Sequence, residues 1–249
     1  MLGFFFVVDA GDLGEYFLFL VIQFQAMIEQ KQIHASHIAV LFLLPFLYWI
    51  NKFLPWSVAL YSHNYTYWKT WVASIMMLHW ASVLFVLFLL KKDNLQASDI
   101  GYTFNTKKTI LFISSYFLLG AVVYFYTEWR LTHTDVGHFP MFYFIPLITP
   151  SDRLIWVFAA FSAGFCEELI YRGYYISVLK MKNISNWIAV PLSSLCFTAM
   201  HGPGAFRFLW GFCFLFGFGL LMGLLFVWKK KLSLNMAIHM LFDLSVLLS

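Results

Sequence analysis

The chain has 249 residues, of which 61% are hydrophobic, 21% aromatic and only 11% charged. Soluble domains carry about 25% charged residues, so this composition excludes a soluble globular protein and indicates one that uses lipid as its solvent. The formal net charge of +4 is small, and its lysines lie in short loops rather than in one patch, which argues against nucleic-acid binding. We therefore predict an all-α, polytopic transmembrane helical bundle.

A spanning helix needs about 20 mostly apolar residues. By this criterion the sequence predicts about eight spans, near residues 13–28, 37–54, 70–90, 109–126, 153–179, 186–201, 207–228 and 232–249. The first is the weakest, because Gln23 and Gln25 interrupt it. Pro45 predicts a kink in the second span rather than a break. Met1 to Val8 lacks a basic start and a small-residue cleavage site, so we expect the first span to direct the chain to the membrane.

The loops between the predicted spans differ in charge on the two sides of the membrane. Lysines follow the third, fifth and seventh spans, at Lys91, Lys92, Lys107, Lys108, Lys180, Lys182, Lys229, Lys230 and Lys231. The opposite loops carry acidic residues instead, at Asp9, Asp12, Glu15, Glu128, Asp135 and Asp152. The positive-inside rule places the lysine-rich loops in the cytoplasm, so both termini are predicted to lie outside.

One long connection, from Thr127 to Asp152, contains a short apolar stretch, Phe139 to Ile148, with two prolines. Such a stretch can form a re-entrant or interfacial segment beside a cavity. An ordinary extracellular loop explains it equally well, and both interpretations stay open.

Ionisable residues inside the fifth predicted span are the main signal of function. Glu167, Glu168 and Arg172 interrupt a run that otherwise has the composition of a membrane-spanning helix. A charged group near the bilayer centre costs about 2.5–3.5 kcal/mol, so such groups are usually paired and functional. The spacing of four lets Glu168 pair with Arg172, whereas Glu167 is rotated by about 100° and can point elsewhere. The alternative is a buried ion-pair cluster that only fixes helix packing.

Further polar residues lie in the sixth and eighth spans. His201 ends the sixth span, just before Gly202-Pro203-Gly204. His239 and Asp243 share one face of the last helix because they are four residues apart. At about 1.5 Å per residue, Glu167, His239 and Asp243 lie roughly 20, 12 and 18 Å from the lysine-rich ends of their helices. We therefore expect the three groups to meet at a similar depth, with His201 within reach.

Such a cluster suits the hydrolysis of an amide. A carboxylate beside one or two imidazoles can deprotonate a water molecule, either directly or with a metal ion. The remaining polar groups can stabilise the oxyanion that forms when this water attacks the amide carbonyl. No serine in a nucleophile elbow competes for this role, and the lack of an HExxH sequence excludes an ordinary zincin.

The three motifs resemble those of the CAAX-protease and bacteriocin-processing (CPBP, or Abi) family of intramembrane proteases. That family carries EExxxR, FxxxH and HxxxN or HxxxD motifs on successive membrane helices. Here they stand as Glu167-Glu168-Leu-Ile-Tyr-Arg172, Phe197-Thr-Ala-Met-His201 and His239-Met-Leu-Phe-Asp243. Gly173 and the small residues Gly217, Gly219 and Gly223 also resemble the family. We therefore expect N-terminal transmembrane helices over residues 1–149 and a catalytic core over residues 150–249, within one membrane domain.

The resemblance implies a role for each motif residue. Glu167 would be the general base with His201 as its partner, while Glu168 and Arg172 would hold the geometry. His239 and Asp243 would bind the oxyanion or complete a metal site. Many family members have Asn at the position of Asp243, and an ionised Asp cannot donate a hydrogen bond to an oxyanion. Asp243 would have to be protonated, orient His239 or ligate a metal.

The cofactor stays open, because Glu167, His201, His239 and Asp243 suit a divalent metal such as zinc but also a metal-free mechanism.

The predicted function is that of an intramembrane endopeptidase acting on a hydrophobic or lipid-associated peptide or lipid-modified protein, with the lipid bilayer as its surroundings. The resemblance to small, single-domain members suggests a multi-pass protein of a prokaryotic plasma membrane. The alternative is a non-proteolytic transporter, immunity protein or scaffold that uses the polar cluster for proton relay or binding. A transporter would be expected to show repeated halves with broken helices, which we do not find in the sequence.

Overall fold

The structure is a computed structural model that describes residues 35–54, 67–103, 105–133, 147, 149–202, 204–207 and 209–248. The chain divides into two compact units, Met1–Val40 and Leu41–Ser249. In the first unit only residues 35–40 are described, and they form the start of a helix. The predicted span over residues 13–28 lies outside the described residues.

The described residues are mostly helical. The α-helices are α1 (Ala35–Lys52), α2 (Trp68–Lys92), α3 (Thr106–His133), α4 (Pro150–Glu167), α5 (Ser177–Met181), α6 (Asn186–Met200), α7 (Gly204–Arg207), α8 (Leu209–Lys229) and α9 (Leu232–Leu244). A π-helix, Glu168–Ile176, joins α4 to α5, and 3₁₀ turns occupy Ala97–Ile100 and Ser245–Leu248. Four described helices are long and apolar enough to cross a membrane, namely α2, α3, the continuous rod Pro150–Met181 and α8. The chain is a multi-pass, all-α membrane protein, as predicted, although eight spans is an approximate count.

The connection predicted from Thr127 to Asp152 is shorter than expected. Helix α3 continues to His133, and the next rod already begins at Pro150. Thr149 caps this rod, since its hydroxyl accepts from the Asp152 amide at 3.2 Å and the Asp152 carboxylate accepts from the Thr149 amide at 2.7 Å. Proline at the first helical position adds to this start signal. Apart from Leu147, the apolar stretch 139–148 lies outside the described residues.

Large apolar side chains cover the outward faces of the long helices. On α3 the exposed residues include Ile110, Leu111, Leu118, Val122 and Phe125, and on α8 they include Leu209, Trp210, Leu221, Leu224 and Trp228. Soluble monomers rarely expose apolar patches of this extent. Lipid covers these faces without exposing their apolar side chains to water.

The rod Pro150–Met181 has a central place in the second unit. Its α4 portion packs against α2, α3 and α9, while its π-helical portion packs against α6. Helix α9 approaches α4 closely at Gly164, where a Cβ would lie 2.8 Å from the backbone nitrogen of Met240. This approach brings the neighbouring His239 beside the two carboxylates that follow Gly164 in the rod. Helix α6 packs on α8 in the same manner, with Ser194 against Gly219 and Val190 against Gly223.

Gly164→Ala is expected to lower the free energy of unfolding by about 1–3 kcal/mol, the usual cost of overpacking. The added methyl group has to push back the α9 backbone, and activity should fall with it because His239 lies next to Met240. Gly217→Ala is the matched control, since a Cβ there meets nothing within 4 Å. Thermal unfolding of the detergent-solubilised variants checks this. Equal stability of the two variants would contradict the close approach.

Candidate active site

The two predicted carboxylates lie where the rod changes from α-helix to π-helix. Glu167 is the last residue of α4, and Glu168 is the first residue of the π-helical segment. Only 5% of Glu167 and 0% of Glu168 is exposed. Segments of π-helix occur frequently at functional sites. The two side chains have different neighbours, so one segment supplies two carboxylates with separate surroundings.

Glu168 belongs to a closed polar cluster. Its Oε1 atom lies 3.0 Å from Arg172 Nη1 and 2.8 Å from His239 Nδ1. Asn235 Nδ2 lies 3.4 Å from the other carboxylate oxygen and donates to the Met222 carbonyl at 2.7 Å. The Arg172 guanidinium also lies over the Phe197 ring, 4.2 Å from its centroid. A buried charge needs this kind of compensation, and Glu168 obtains it from Arg172, His239 and Asn235.

The contact with Glu168 orients His239. The Nδ1 atom donates to Glu168, an assignment made from the geometry, so Nε2 is directed towards Glu167 and Asp243. It lies 3.8 Å from Glu167 Oε2 and 3.7 Å from Asp243 Oδ2. The edge of the Phe218 ring limits rotation of the imidazole, with 5.0 Å between the ring centroids.

Glu167 contacts a histidine that the sequence analysis did not single out. Its Oε1 atom lies 3.1 Å from Nε2 of His79 on α2. Its Oε2 atom has no hydrogen-bond partner among the described residues. The other nitrogen of His79 lies 3.4 Å from the Ser162 hydroxyl, and its ring packs against Tyr48. Glu167 is therefore held by one oxygen and retains the other for a further ligand.

The sequence carried one signal that pointed to His79. It is a buried histidine in the middle of an apolar span, and ionisable residues at such positions usually face a bundle interior or a cavity. No second ionisable residue lies near it in the chain, so no motif identified it. Its partners are 83 and 88 positions away and become visible only in the folded chain.

His201 lies at the end of α6, as predicted, but does not contact Glu167 directly. Its Nδ1 atom lies 2.9 Å from the Phe197 carbonyl, which fixes that nitrogen as a donor. Its ring packs edge-on against Phe197, with 4.9 Å between centroids. Nε2 therefore remains for contact with a ligand in the cavity that His201 shares with Glu167.

The predicted site residues converge on a cavity of about 220 Å³. It is lined by Tyr48, Lys52, Trp71, Val72, Ile75, Met76, His79, Trp156, Ala159, Ala160, Ala163, Glu167, Met200, His201, His239 and Asp243. A water molecule occupies about 30 Å³ in the liquid, so the cavity has room for several. Glu168 and Arg172 do not line it, because they lie in the closed cluster behind His239.

The metal site considered for Glu167, His201, His239 and Asp243 stays a prediction. Within the described residues, no three histidine, cysteine or acidic side chains are placed to hold a metal ion. Glu167, His201, His239 and Asp243 surround a common space, and His239 and His201 each use Nδ1 for another partner, Glu168 and a carbonyl, which leaves Nε2 of each ring available. The chemistry derived below uses the side chains alone.

Comparison with known proteins locates one family match. Residues 149–245 match the family described as Rce1-like, type II CAAX prenyl endopeptidase. No curated protein and no solved structure matches the chain significantly. The match confirms the predicted resemblance and covers all three motifs. The division into N-terminal helices, 1–149, and a catalytic core, 150–249, stays a prediction.

Proposed function

We propose, from the membership of residues 149–245 in the Rce1-like family of type II CAAX prenyl endopeptidases, that the chain hydrolyses a peptide bond in a hydrophobic or lipid-modified peptide with water activated by Glu167. The family is one of peptidases acting on prenylated substrates. The observation that carries the assignment to Glu167 is its position on the cavity with one oxygen unpartnered, while Glu168 is engaged by Arg172 and His239.

The first step is removal of a proton from water. A water molecule in the cavity can donate to Glu167 Oε2, since that atom has no hydrogen-bond partner among the described residues. His79 holds the other oxygen at 3.1 Å and restricts rotation of the carboxylate. General-base catalysis by a positioned carboxylate contributes about 10²–10⁴-fold to a rate. His79 is thus assigned as a positioning residue for Glu167.

The second requirement is stabilisation of the oxyanion. The Nε2 atom of His239 faces the cavity because Nδ1 is committed to Glu168, and as an imidazolium the ring donates to the oxyanion from that side. Asp243 Oδ2 lies 3.7 Å from the same nitrogen. The Asp243 carboxylate orients the imidazolium and compensates its charge, and it donates no hydrogen bond to the oxyanion. The proton that Glu167 took from the water then passes to the leaving amine, with His201 Nε2 as the acceptor that relays it, so Glu167 is ionised again when the C–N bond breaks.

The surroundings of the cavity suit an apolar substrate. Val72, Ile75 and Met76 of α2 and the alanines of α4 form much of its wall. A lipid-modified peptide held in the bilayer reaches such a site without leaving its apolar environment. We also propose a prokaryotic plasma membrane as the location. The alternatives are a transporter, an immunity protein or a scaffold. No observation supports any of them as strongly as the family match supports a peptidase.

The direct test is incubation of the detergent-purified protein with an S-farnesylated tetrapeptide of the CAAX pattern, followed by mass spectrometry. Release of the three residues after the cysteine is the expected result. Equal activity in the presence of a chelator agrees with the side-chain mechanism, whereas loss that zinc restores would contradict it. No cleavage of a panel of prenylated and unmodified apolar peptides would count against the peptidase.

His79→Gln is expected to lower kcat by about 10- to 100-fold with little change in KM. Glutamine retains a hydrogen-bonding group but cannot reach Glu167 with the same geometry, so the base is mispositioned while the substrate site is intact. Steady-state kinetics check this split. His37→Gln is a control for a buried histidine elsewhere in the chain. A rise in KM with unchanged kcat would assign His79 to substrate binding instead.

A further inference from the structure

Two hydrogen-bond donors on the cavity have no role in the hydrolysis derived above. The ammonium of Lys52, the last residue of α1, has no carboxylate within ion-pair distance in the part of the chain that the structure describes. It lies 4.8 Å from the centroid of the Trp71 ring. The Trp71 indole nitrogen is itself buried and lacks a hydrogen-bond partner among the described residues. Both residues line the cavity that Glu167 and His201 share.

The position of Lys52 is determined by its neighbours rather than left to a flexible side chain. One turn earlier, the Trp49 indole donates a hydrogen bond to the carbonyl of Ala199 near the end of α6. The stem of Lys52 packs on Gly202, where a Cβ would lie 2.9 Å from Lys52 Cγ. Gly202 has φ +85°, a conformation that favours glycine. The end of α1 is therefore fixed beside His201, with its cation directed to the cavity.

We infer that Lys52, with the Trp71 N–H, binds the free α-carboxylate of a substrate whose C-terminus lies close to the scissile bond. Lys52 has no ion-pair partner among the described residues, and a carboxylate is the ligand that compensates such a cation best. The apolar residues of α2 beside Trp71, namely Val72, Ile75 and Met76, then contact the side chains between the scissile bond and the terminus. The inference rests on the proposed function and adds to it the residues that bind the carboxyl terminus of the substrate.

Binding is the decisive measurement, because it does not depend on turnover. The probes are an S-farnesylated tetrapeptide of cysteine, valine, isoleucine and methionine as the free acid and as the C-terminal amide. Both have the same apolar chain, and the comparison with Lys52→Met cancels the difference in partition into detergent that the charge of the acid introduces. Their Kd values are measured on the full chain carrying Glu167→Gln, with and without Lys52→Met, which keeps an unbranched stem of similar length.

With Lys52 present, the acid is expected to bind about 10- to 100-fold more tightly than the amide, the range for a hydrogen bond to a charged group. Lys52→Met should abolish this ratio and leave the Kd of the amide unchanged, whereas Lys52→Arg should retain most of it. Equal affinity for acid and amide, no measurable binding of the acid, or a ratio that survives Lys52→Met would each overturn the inference. Should Lys52→Met not fold, Lys52→Gln replaces it.

Cleavage assays separate this inference from the proposed function. Acid-selective binding through Lys52 without any hydrolysis would contradict the peptidase but leave the carboxylate site intact. Hydrolysis of acid and amide at equal kcat/KM would retain the peptidase and remove the site.

Discussion

Glu167→Gln is expected to lower kcat by about 10²–10⁴-fold, which is the range that a general base contributes. The amide has nearly the same volume as the carboxylate and can keep its oxygen beside His79 at the position of Oε1, 3.1 Å from Nε2. What it loses is the basic oxygen that receives a proton from water. KM should change little because the cavity keeps its shape. Kinetics on the prenylated tetrapeptide measure both parameters.

Glu128→Gln is the matched control for this change. It removes one carboxylate by the same isosteric substitution, but its partner is Arg153, with 2.5 Å between Oε1 and Nε, and neither residue lines the cavity. We expect this variant to lose some stability and to keep its turnover. If Glu167→Gln retained more than half of the wild-type kcat, Glu167 would not be the base. Equal losses in both variants would point to a general effect on folding.

The second large effect is expected at Arg172, where replacement by methionine should lower the free energy of unfolding by about 3–5 kcal/mol. Arg172 is only 1% exposed and Glu168 is fully buried, so removal of the guanidinium leaves the carboxylate without its strong cationic partner. The cation–π contact with Phe197 is lost as well. Unfolding of the solubilised protein by heat or denaturing detergent, followed by tryptophan fluorescence, measures the difference.

A double variant distinguishes an uncompensated charge from lost packing. Glu168→Gln combined with Arg172→Met removes both charges, and we expect it to be more stable than Arg172→Met alone. Activity should not return, because His239 loses the carboxylate that orients its Nδ1 atom. If the double variant were the less stable one, packing of the Arg172 stem would explain the effect better than charge.

The local parts of this structure were predictable because they depend on spacing within one helix. The four-residue spacing of Glu168 and Arg172 predicted a pair, and the structure has them 3.0 Å apart. The start of the rod at Pro150 was also encoded, in the Thr149 and Asp152 capping box, but hydropathy alone began the span three residues later. A count of apolar residues does not register capping, since capping residues are polar.

The contacts between helices could not be predicted from the spacing of residues within one helix. Glu167 was expected to pair with His201, yet the residue within 3.1 Å is His79. Lys52 was not singled out in the sequence, and its place on the cavity depends on how α1 meets the end of α6. The change to π-helix at Glu168 had no sequence signal that we recognised.

The residues that line the cavity come from two parts of the chain. Glu167, His201, His239 and Asp243 come from within residues 149–245, whereas Lys52, Trp71 and His79 come from helices that precede this segment. Under the assignments proposed above, the residues that recognise the substrate terminus precede the matched segment, and the reaction residues lie within it apart from the positioning residue His79. A chimaera joined near residue 149 would be expected to take its preference for a substrate terminus from the N-terminal parent and its general base from the other, with turnover depending on a histidine at the position of His79.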